Sequence, residues 1–65
     1  MKNYLRQRRK ELKLTQPQVA LRANLSNYTV LQRYERGAVM PSVEMALKLA
    51  KALETTVENL FVLED

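Results

Sequence analysis

The sequence contains no cysteine, histidine or tryptophan, and it has one glycine and two prolines among 65 residues. Without cysteine no disulfide forms, and without cysteine and histidine the commonest zinc sites are excluded. A chain this short lies near the lower limit for independent folding, so its stability must come from helix packing, with or without a partner subunit. The scarcity of glycine and proline favours helices joined by short connections.

Long hydrophobic runs are also missing. No apolar stretch approaches the roughly 18 residues of a membrane span, and no apolar segment follows the basic N-terminus as it would in a signal peptide. The apolar content of 46% is nevertheless ample for a core and argues against disorder. We therefore expect a soluble, cytoplasmic protein in which residues 1–65 form a single domain.

The net charge of +4 is distributed unevenly. Residues 1–40 carry nine lysines and arginines against two glutamates, a net charge of +7, whereas residues 41–65 carry two lysines against five acidic residues, a net charge of −3. This asymmetry favours a basic face turned toward a polyanion. A basic face that is simply solvated has the same composition, so charge alone leaves both interpretations open.

Hydrophobic periodicity and capping residues predict five helices. Their expected ranges are 3–12, 15–22, 27–35, 42–53 and 56–61. Capping residues are expected at Thr15, at Ser26 or Asn27, and at Ser42 and Thr56, and Gly37 fits a left-handed helix end. No alternating stretch is long enough to predict a strand. The fold class is therefore all-α, a compact bundle of five helices.

The fourth helix has the most regular apolar spacing and is expected to be the central core helix. Its predicted buried face consists of Val43, Ala46, Leu47, Ala50 and Leu53. The other helices are expected to contribute Leu5, Leu12, Val19, Ala20, Ala23, Leu31, Tyr34, Val57, Leu60 and Phe61.

The second and third predicted helices are short and adjacent, and the small side chain of Ala20 would allow them to cross closely. Such a pair, from Thr15 to Tyr34, fits a helix-turn-helix, in which the second helix enters the major groove of DNA. A hairpin of two helices is common in helical proteins, so the geometry alone does not decide the function.

Ordered motifs along most of the chain are more specific. They are Leu14-Thr15-Gln16-x-x-Val19-Ala20, Tyr34-Glu35-Arg36-Gly37-x-x-x-Pro41-Ser42, Ala46-Leu47-x-Leu49-Ala50-x-Ala52-Leu53 and Leu60-Phe61. In this order and spacing they resemble the Cro/lambda-repressor-like (Xre) DNA-binding domain. The resemblance implies a lambda-repressor-like fold, recognition of double-stranded DNA by the third helix, and binding of a homodimer to a palindromic operator. A transcriptional regulator acting as a repressor is therefore expected.

The resemblance also implies contacts for individual residues. Gln16 matches a glutamine that approaches a phosphate, and the hydroxyl or backbone N–H of Thr15 can assist at the same helix end. Arg9 and Glu35 match an ion pair with a structural role. The alternative for Thr15 is a cap alone, and for Gln16 a solvated side chain.

The exposed face of the third helix carries side chains suited to base edges or phosphates. Asparagine and glutamine can pair with adenine, arginine with guanine, and the threonine methyl group can contact thymine. The candidate residues are Asn27, Tyr28, Thr29, Gln32 and Arg33, with Arg36 beyond the helix as a phosphate contact. Tyr28 could instead cover the turn, and Arg36 could be solvated.

Two departures from the family pattern affect the turns. The segment between Ala20 and Glu35 is one residue longer than usual, and we expect the extra residue in the turn, which leaves the register at the start of the third helix open. Lys13, Asn24 and Glu54 stand where the family often has glycine. Asparagine tolerates the left-handed conformation, and Lys13 and Glu54 are expected either to adopt it at a modest cost or to end their helices differently from the family.

The sequence offers less support for other functions. No nucleophile–base set and no glycine-rich phosphate loop point to an enzyme, and no metal, cofactor or small-molecule ligand is indicated. A protein-interaction module such as an antitoxin remains the main alternative, and a membrane-surface role for the first helix is opposed by its narrow apolar face. The apolar segment 57–63 either packs within the bundle or forms a twofold contact with a second copy.

Overall fold

The computed structural model describes residues 2–63, which form five α-helices and one pair of short β-strands. The elements are β1 (Lys2–Asn3), α1 (Leu5–Glu11), α2 (Gln16–Arg22), α3 (Tyr28–Glu35), α4 (Val43–Ala52), α5 (Val57–Leu60) and β2 (Phe61–Val62). The predicted helical bundle is confirmed. None of the helices within residues 2–63 has the length and apolar character needed to span a bilayer.

Side-chain caps begin four of the helices. Thr15 starts α2 with a capping box: its Oγ1 accepts from the backbone N–H of Gln18 at 3.2 Å, and Oε1 of Gln18 accepts from the N–H of Thr15 at 2.8 Å. Asn27, Ser42 and Thr56 cap α3, α4 and α5 by accepting one backbone N–H each. These bonds satisfy backbone donors that the first turn of a helix leaves free, so they fix where each helix begins.

The first four helices all end through a residue in the left-handed conformation. These residues are Lys13 (φ 58°), Asn24 (φ 58°), Gly37 (φ 74°) and Glu54 (φ 55°). At each end two backbone N–H groups bond to carbonyls of the last turn, as in Gly37 to Tyr34 and Ala38 to Arg33, both 3.0 Å. This is the Schellman pattern. Lys13 and Glu54 thus adopt the left-handed conformation, as Asn24 does.

The strand pair is absent from the sequence-based prediction and corrects two helix boundaries. Asn3 pairs with Phe61 and Lys2 with Val62 in antiparallel register. Asn3 therefore precedes α1 rather than beginning it, and its Oδ1 accepts the N–H of Leu5 at 3.3 Å. Phe61 likewise lies in β2 rather than in α5. A two-residue strand has no periodicity to detect, and its partner lies at the other end of the chain.

The core also corrects the predicted face of α4. The fully buried large side chains of the core are Leu5, Val19, Leu31, Leu49, Leu53 and Leu60. Val43 and Leu47, predicted to be buried, are 80% and 58% exposed. The series Ala46, Leu49, Ala50 and Leu53 fits helical spacing equally well and is the buried one. Because apolar residues occupy most faces of α4, spacing alone could not select between the two.

Candidate nucleic-acid interface

The helices α2 and α3 pack against one another across a five-residue connection, residues 23–27. Asn24 takes the left-handed position in this turn, and Asn27 caps α3. The helix α3 begins at Tyr28 and keeps Leu31 buried and Tyr34 half-buried. The register of α3 is thereby fixed.

One face of α3, continued by the C-cap residue Arg36, forms a polar stripe in which all residues but the half-buried Gln32 are exposed. It consists of Thr29, Gln32, Arg33 and Arg36, at the i, i+3, i+4 and i+7 positions that share a helix face. The side of α3 toward the bundle carries the buried Leu31 and the half-buried Tyr34. Packing of the apolar side therefore turns the stripe outward.

The stripe borders an open cleft between α1, the start of α2 and α3. The lining residues are Arg6, Arg9, Leu14, Thr15, Gln16, Pro17, Thr29, Gln32, Arg33, Glu35 and Arg36. Six of the eight predicted site residues thus meet at one surface, whereas Asn27 and Tyr28 do not line it. None of the lining residues comes from α4 or α5, where the described acidic residues Glu44 and Glu58 lie.

The cleft is strongly basic. Four arginines line it, and the single acidic residue, Glu35, is paired with one of them, Arg9. Among the ion pairs formed within residues 2–63, none includes Arg6, Arg33 or Arg36. Three positive charges are therefore left to act on an anion at this surface.

The ion pair joins α1 to the end of α3. Nε of Arg9 donates to Oε2 of Glu35 at 2.8 Å and Nη2 donates to Oε1 at 3.3 Å, which makes the pair bidentate. The side chains are 12% and 5% exposed, and Nη1 of Arg9 also donates to the carbonyl of Leu14 at 3.0 Å. This geometry fits the structural role expected for the pair.

Gln16 makes two hydrogen bonds within the protein. Its Nε2 donates to Oε1 of Glu35 and its Oε1 accepts from Nε2 of Gln32, both at 3.1 Å. The side chain is thus held between α2 and α3 at the floor of the cleft. One N–H of the Gln16 amide remains for a phosphate, because a primary amide carries two.

The remaining predicted site residues differ in which hydrogen-bonding groups they keep available for a ligand. The capping box uses the backbone N–H of Thr15 and one lone pair of its hydroxyl, so the O–H is the donor that Thr15 keeps for a phosphate. The Oδ1 of Asn27 accepts from Thr29 N–H at 2.9 Å, which leaves its amide NH₂. Tyr28 is 46% exposed at the start of α3.

Arg6 lines the cleft but is not among the site residues predicted from the sequence. It lies on α1, outside the helix-turn-helix, and reaches the cleft because α1 packs against α3. The signal available in the sequence was its spacing of three residues from Arg9, which places both on one side of α1. That signal becomes interpretable only once Arg9 is known to contact α3.

Comparisons with known proteins agree with this geometry. A helix-turn-helix family model matches residues 5–60. Two proteins named HTH-type transcriptional regulators, from Methanothermobacter thermautotrophicus and Methanocaldococcus jannaschii, are each 35% identical over all of this chain and over 94% and 97% of their own lengths. The crystal structure of the P22 c2 repressor in complex with a synthetic operator superposes with a TM-score of 0.83, at 29% identity, covering 89% of this chain and 86% of that one.

The family match spans most of the chain, so the chain belongs to the Cro/lambda-repressor-like (Xre) helix-turn-helix family of DNA-binding transcriptional regulators. This is not a class of enzymes, in agreement with the sequence analysis. Within residues 2–63 no group of acidic residues has the arrangement of a metal site.

Proposed function

We propose that the chain is a cytoplasmic transcriptional repressor that binds a palindromic operator in double-stranded DNA as a homodimer. The observation that carries the proposal is the polar stripe of α3 beside a basic cleft with three arginines outside the described ion pairs. A helix presenting such a stripe fits the major groove, whose floor displays base edges and whose walls are phosphates. The P22 c2 repressor, of similar fold, supports this assignment through its operator complex.

Gln32 and Thr29 are the proposed base contacts at the centre of the stripe. Gln32 is half-buried and held by Gln16, so its amide is ordered before DNA arrives. Thr29, one turn earlier, is suited to the methyl group of thymine. Arg33 is exposed beside them and supplies a guanidinium for guanine or for a phosphate at the groove edge.

Phosphate contacts are proposed at the end of the stripe and on the α1 side of the cleft. Arg36 follows α3 and Arg6 belongs to α1, and both line the cleft, so each guanidinium group is a candidate phosphate contact. The Thr15 hydroxyl and the second amide N–H of Gln16 add uncharged donors. Tyr28 and Asn27, at the start of α3 but outside the cleft, are proposed as additional contacts to the DNA backbone.

A groove on another part of the surface supports the homodimer. It is lined by Met40, Pro41, Val43, Ala46, Leu47, Val57, Glu58 and Phe61. Met40, Val43 and Leu47 are each more than half exposed, so the groove is an uncovered apolar surface with one charged residue. Uncovered apolar patches of this kind mark interaction sites. A twofold operator calls for a second copy of the chain, and we propose that this copy covers the groove.

Selection of bound sequences from random double-stranded DNA tests the function directly. We expect an enriched palindromic motif whose half-sites lie about one helical turn apart, because a twofold dimer presents two α3 helices to one face of the duplex. Enrichment of single, unpaired half-sites would contradict the dimer. If no motif is enriched at moderate salt, the repressor assignment fails, and the same fold would instead serve as a protein-interaction module such as an antitoxin.

A further inference from the structure

A chain of side-chain hydrogen bonds runs from the buried ion pair to the exposed stripe of α3. Glu35, held by Arg9, accepts from Nε2 of Gln16, and Oε1 of Gln16 accepts from Nε2 of Gln32. The first members of this chain are nearly buried, and the last lies on the stripe. The buried carboxylate is thus connected to a proposed base contact through a single intervening amide.

The carboxylate sets the direction of each bond in this chain. An ionised carboxylate only accepts hydrogen bonds, so Gln16 must turn its NH₂ group toward Glu35 and its oxygen toward Gln32. Gln32 must then direct its own NH₂ group toward Gln16. Among the hydrogen bonds within residues 2–63, none uses Oε1 of Gln32. Its oxygen and second N–H therefore remain available to a base.

We infer that Glu35, acting through Gln16, fixes the orientation of the Gln32 amide and thereby makes Gln32 selective for a base that offers a hydrogen-bond donor. The inference rests on the proposed function. Adenine presents its N6 amino group as donor and N7 as acceptor, which match the oxygen and N–H of Gln32, whereas guanine presents only acceptors in the major groove. A flipped Gln32 could bind guanine, but its oxygen would then face the oxygen of Gln16.

Glu35 and Gln16 are positioning residues in this arrangement. The ion pair keeps its structural role and gains a second one, because the carboxylate charge determines which way two amides point. If Gln16 only contacted a phosphate, its replacement would lower the affinity for all DNA sequences equally. Positioning by Gln16 instead changes the preference at one base pair, and this difference makes the two roles separable.

The experiment compares sequences selected by the wild-type chain and by variants. Gln32→Ala identifies the base pair that Gln32 contacts: it is the motif position at which this variant loses the sequence preference of the wild type. Gln16→Met keeps the length of the side chain and the Arg9–Glu35 pair but removes both hydrogen bonds that the Gln16 amide makes, to Glu35 and to Gln32. We expect the wild type to prefer adenine over guanine at that base pair, and Gln16→Met to reduce this ratio by about fivefold to a hundredfold, the range of one good bidentate contact.

A second variant addresses the carboxylate itself. Glu35→Gln is close in shape but can donate as well as accept, so it allows Gln16 and Gln32 to reverse together. Because it also removes the charge that pairs with Arg9, thermal denaturation must first show that the variant is folded. We expect it to admit guanine at the same base pair although both glutamines are unchanged. The matched control is Gln7→Met, at an exposed residue of α1 that takes no part in the hydrogen bonds among Glu35, Gln16 and Gln32, and it should keep the wild-type motif.

The outcomes are distinct. An adenine preference that survives Gln16→Met in a folded protein overturns the inference, as does an equal loss of affinity for all sequences. A wild-type chain that enriches no motif overturns the proposed function first. If thermal denaturation shows Gln16→Met to be unfolded, amide proton exchange in the wild type decides instead: one side-chain proton each of Gln16 and Gln32 should be protected relative to Gln7, and equal exchange at all three contradicts the hydrogen-bonded chain.

Discussion

Nε of Arg9 lies 2.8 Å from Oε2 of Glu35, and this contact ties the middle of α1 to the last residue of α3. The two charges are almost fully removed from solvent. Each partner also satisfies a further group, because Arg9 donates to the carbonyl of Leu14 and Glu35 accepts from Gln16. Loss of either partner would leave an uncompensated buried charge together with unpaired polar groups.

Arg9→Ala is therefore expected to lower the free energy of unfolding by about 3–5 kcal/mol, as measured by urea denaturation followed by circular dichroism. The control is Lys48→Ala, which breaks the solvent-exposed pair of Lys48 with Glu44 at 3.7 Å and should cost less than about 1 kcal/mol. Similar effects of the two substitutions would show that the Arg9–Glu35 pair contributes no more than a surface pair.

At the left-handed helix ends, two substitutions are expected to change the free energy of unfolding in opposite directions. Lys13→Gly should raise the free energy of unfolding by about 1 kcal/mol, because glycine avoids the strain of a side chain at φ 58°. Gly37→Ala should lower it by a similar amount, since an added Cβ meets nothing within 4 Å and only the backbone conformation at φ 74° opposes it. Thermal denaturation in which both variants shifted in the same direction would contradict this explanation.

The arginines of the cleft should separate into two groups when operator and random DNA are compared. Arg33→Ala is expected to weaken operator binding by about 1–3 kcal/mol if the guanidinium contacts a base, with the loss confined to particular operator positions. Binding titrations on single-base operator variants measure this pattern. An equal loss on every variant would assign Arg33 to the phosphates.

Arg6→Ala and Arg36→Ala should instead weaken binding to operator and random DNA equally. Each should reduce the slope of log affinity against log salt by about one, because each removes one phosphate contact and the counterion release that accompanies it. Lys48→Ala, which lies on α4 outside the cleft, serves as the control of equal charge and should leave the slope nearly unchanged. An unchanged slope for Arg6→Ala would remove α1 from the interface.

Dimer formation should depend on the apolar groove beside α4. Leu47→Glu places a charge in the groove, so analytical ultracentrifugation at micromolar concentration should show a monomer where the wild type is a dimer. Leu21 is 83% exposed on α2 and lies outside the groove, so Leu21→Glu makes the same substitution there and should leave the dimer intact. A wild type that sediments as a monomer with and without operator would contradict the homodimer.

Features encoded by neighbouring residues were predictable from the sequence. The starts of three helices were predicted from Thr15, Ser42 and Thr56, because a capping side chain forms its hydrogen bond with a backbone N–H only three residues further along the chain. The long-range strand pair was not, since Asn3 and Phe61 carry no local pattern. The face of α4 also escaped prediction: Val43 and Leu47 are as apolar as its buried residues, and only packing against α2 and α5 distinguishes the two sets.

The candidate site was predictable as a set of residue types but not as a network. Periodicity and resemblance place Gln32 on the exposed side of α3 and Gln16 at the start of α2. Neither indicates that the two amides bond to one another and to Glu35, because this depends on the crossing geometry of α2 and α3. A sequence can assign Gln16 a phosphate contact, whereas its influence on base preference emerges only from the arrangement in space.

The pairing of Lys2 with Val62 has a consequence for the order of folding. Bringing together residues from opposite ends of the chain requires closing nearly the whole chain into a loop, whereas α2 and α3 meet across a turn of five residues. Contacts between near neighbours form faster than contacts that close long loops. We therefore expect the helical hairpin that carries the recognition surface to assemble early and the two strands to join last, so that the ends of the chain open and reclose around a bundle that is already formed.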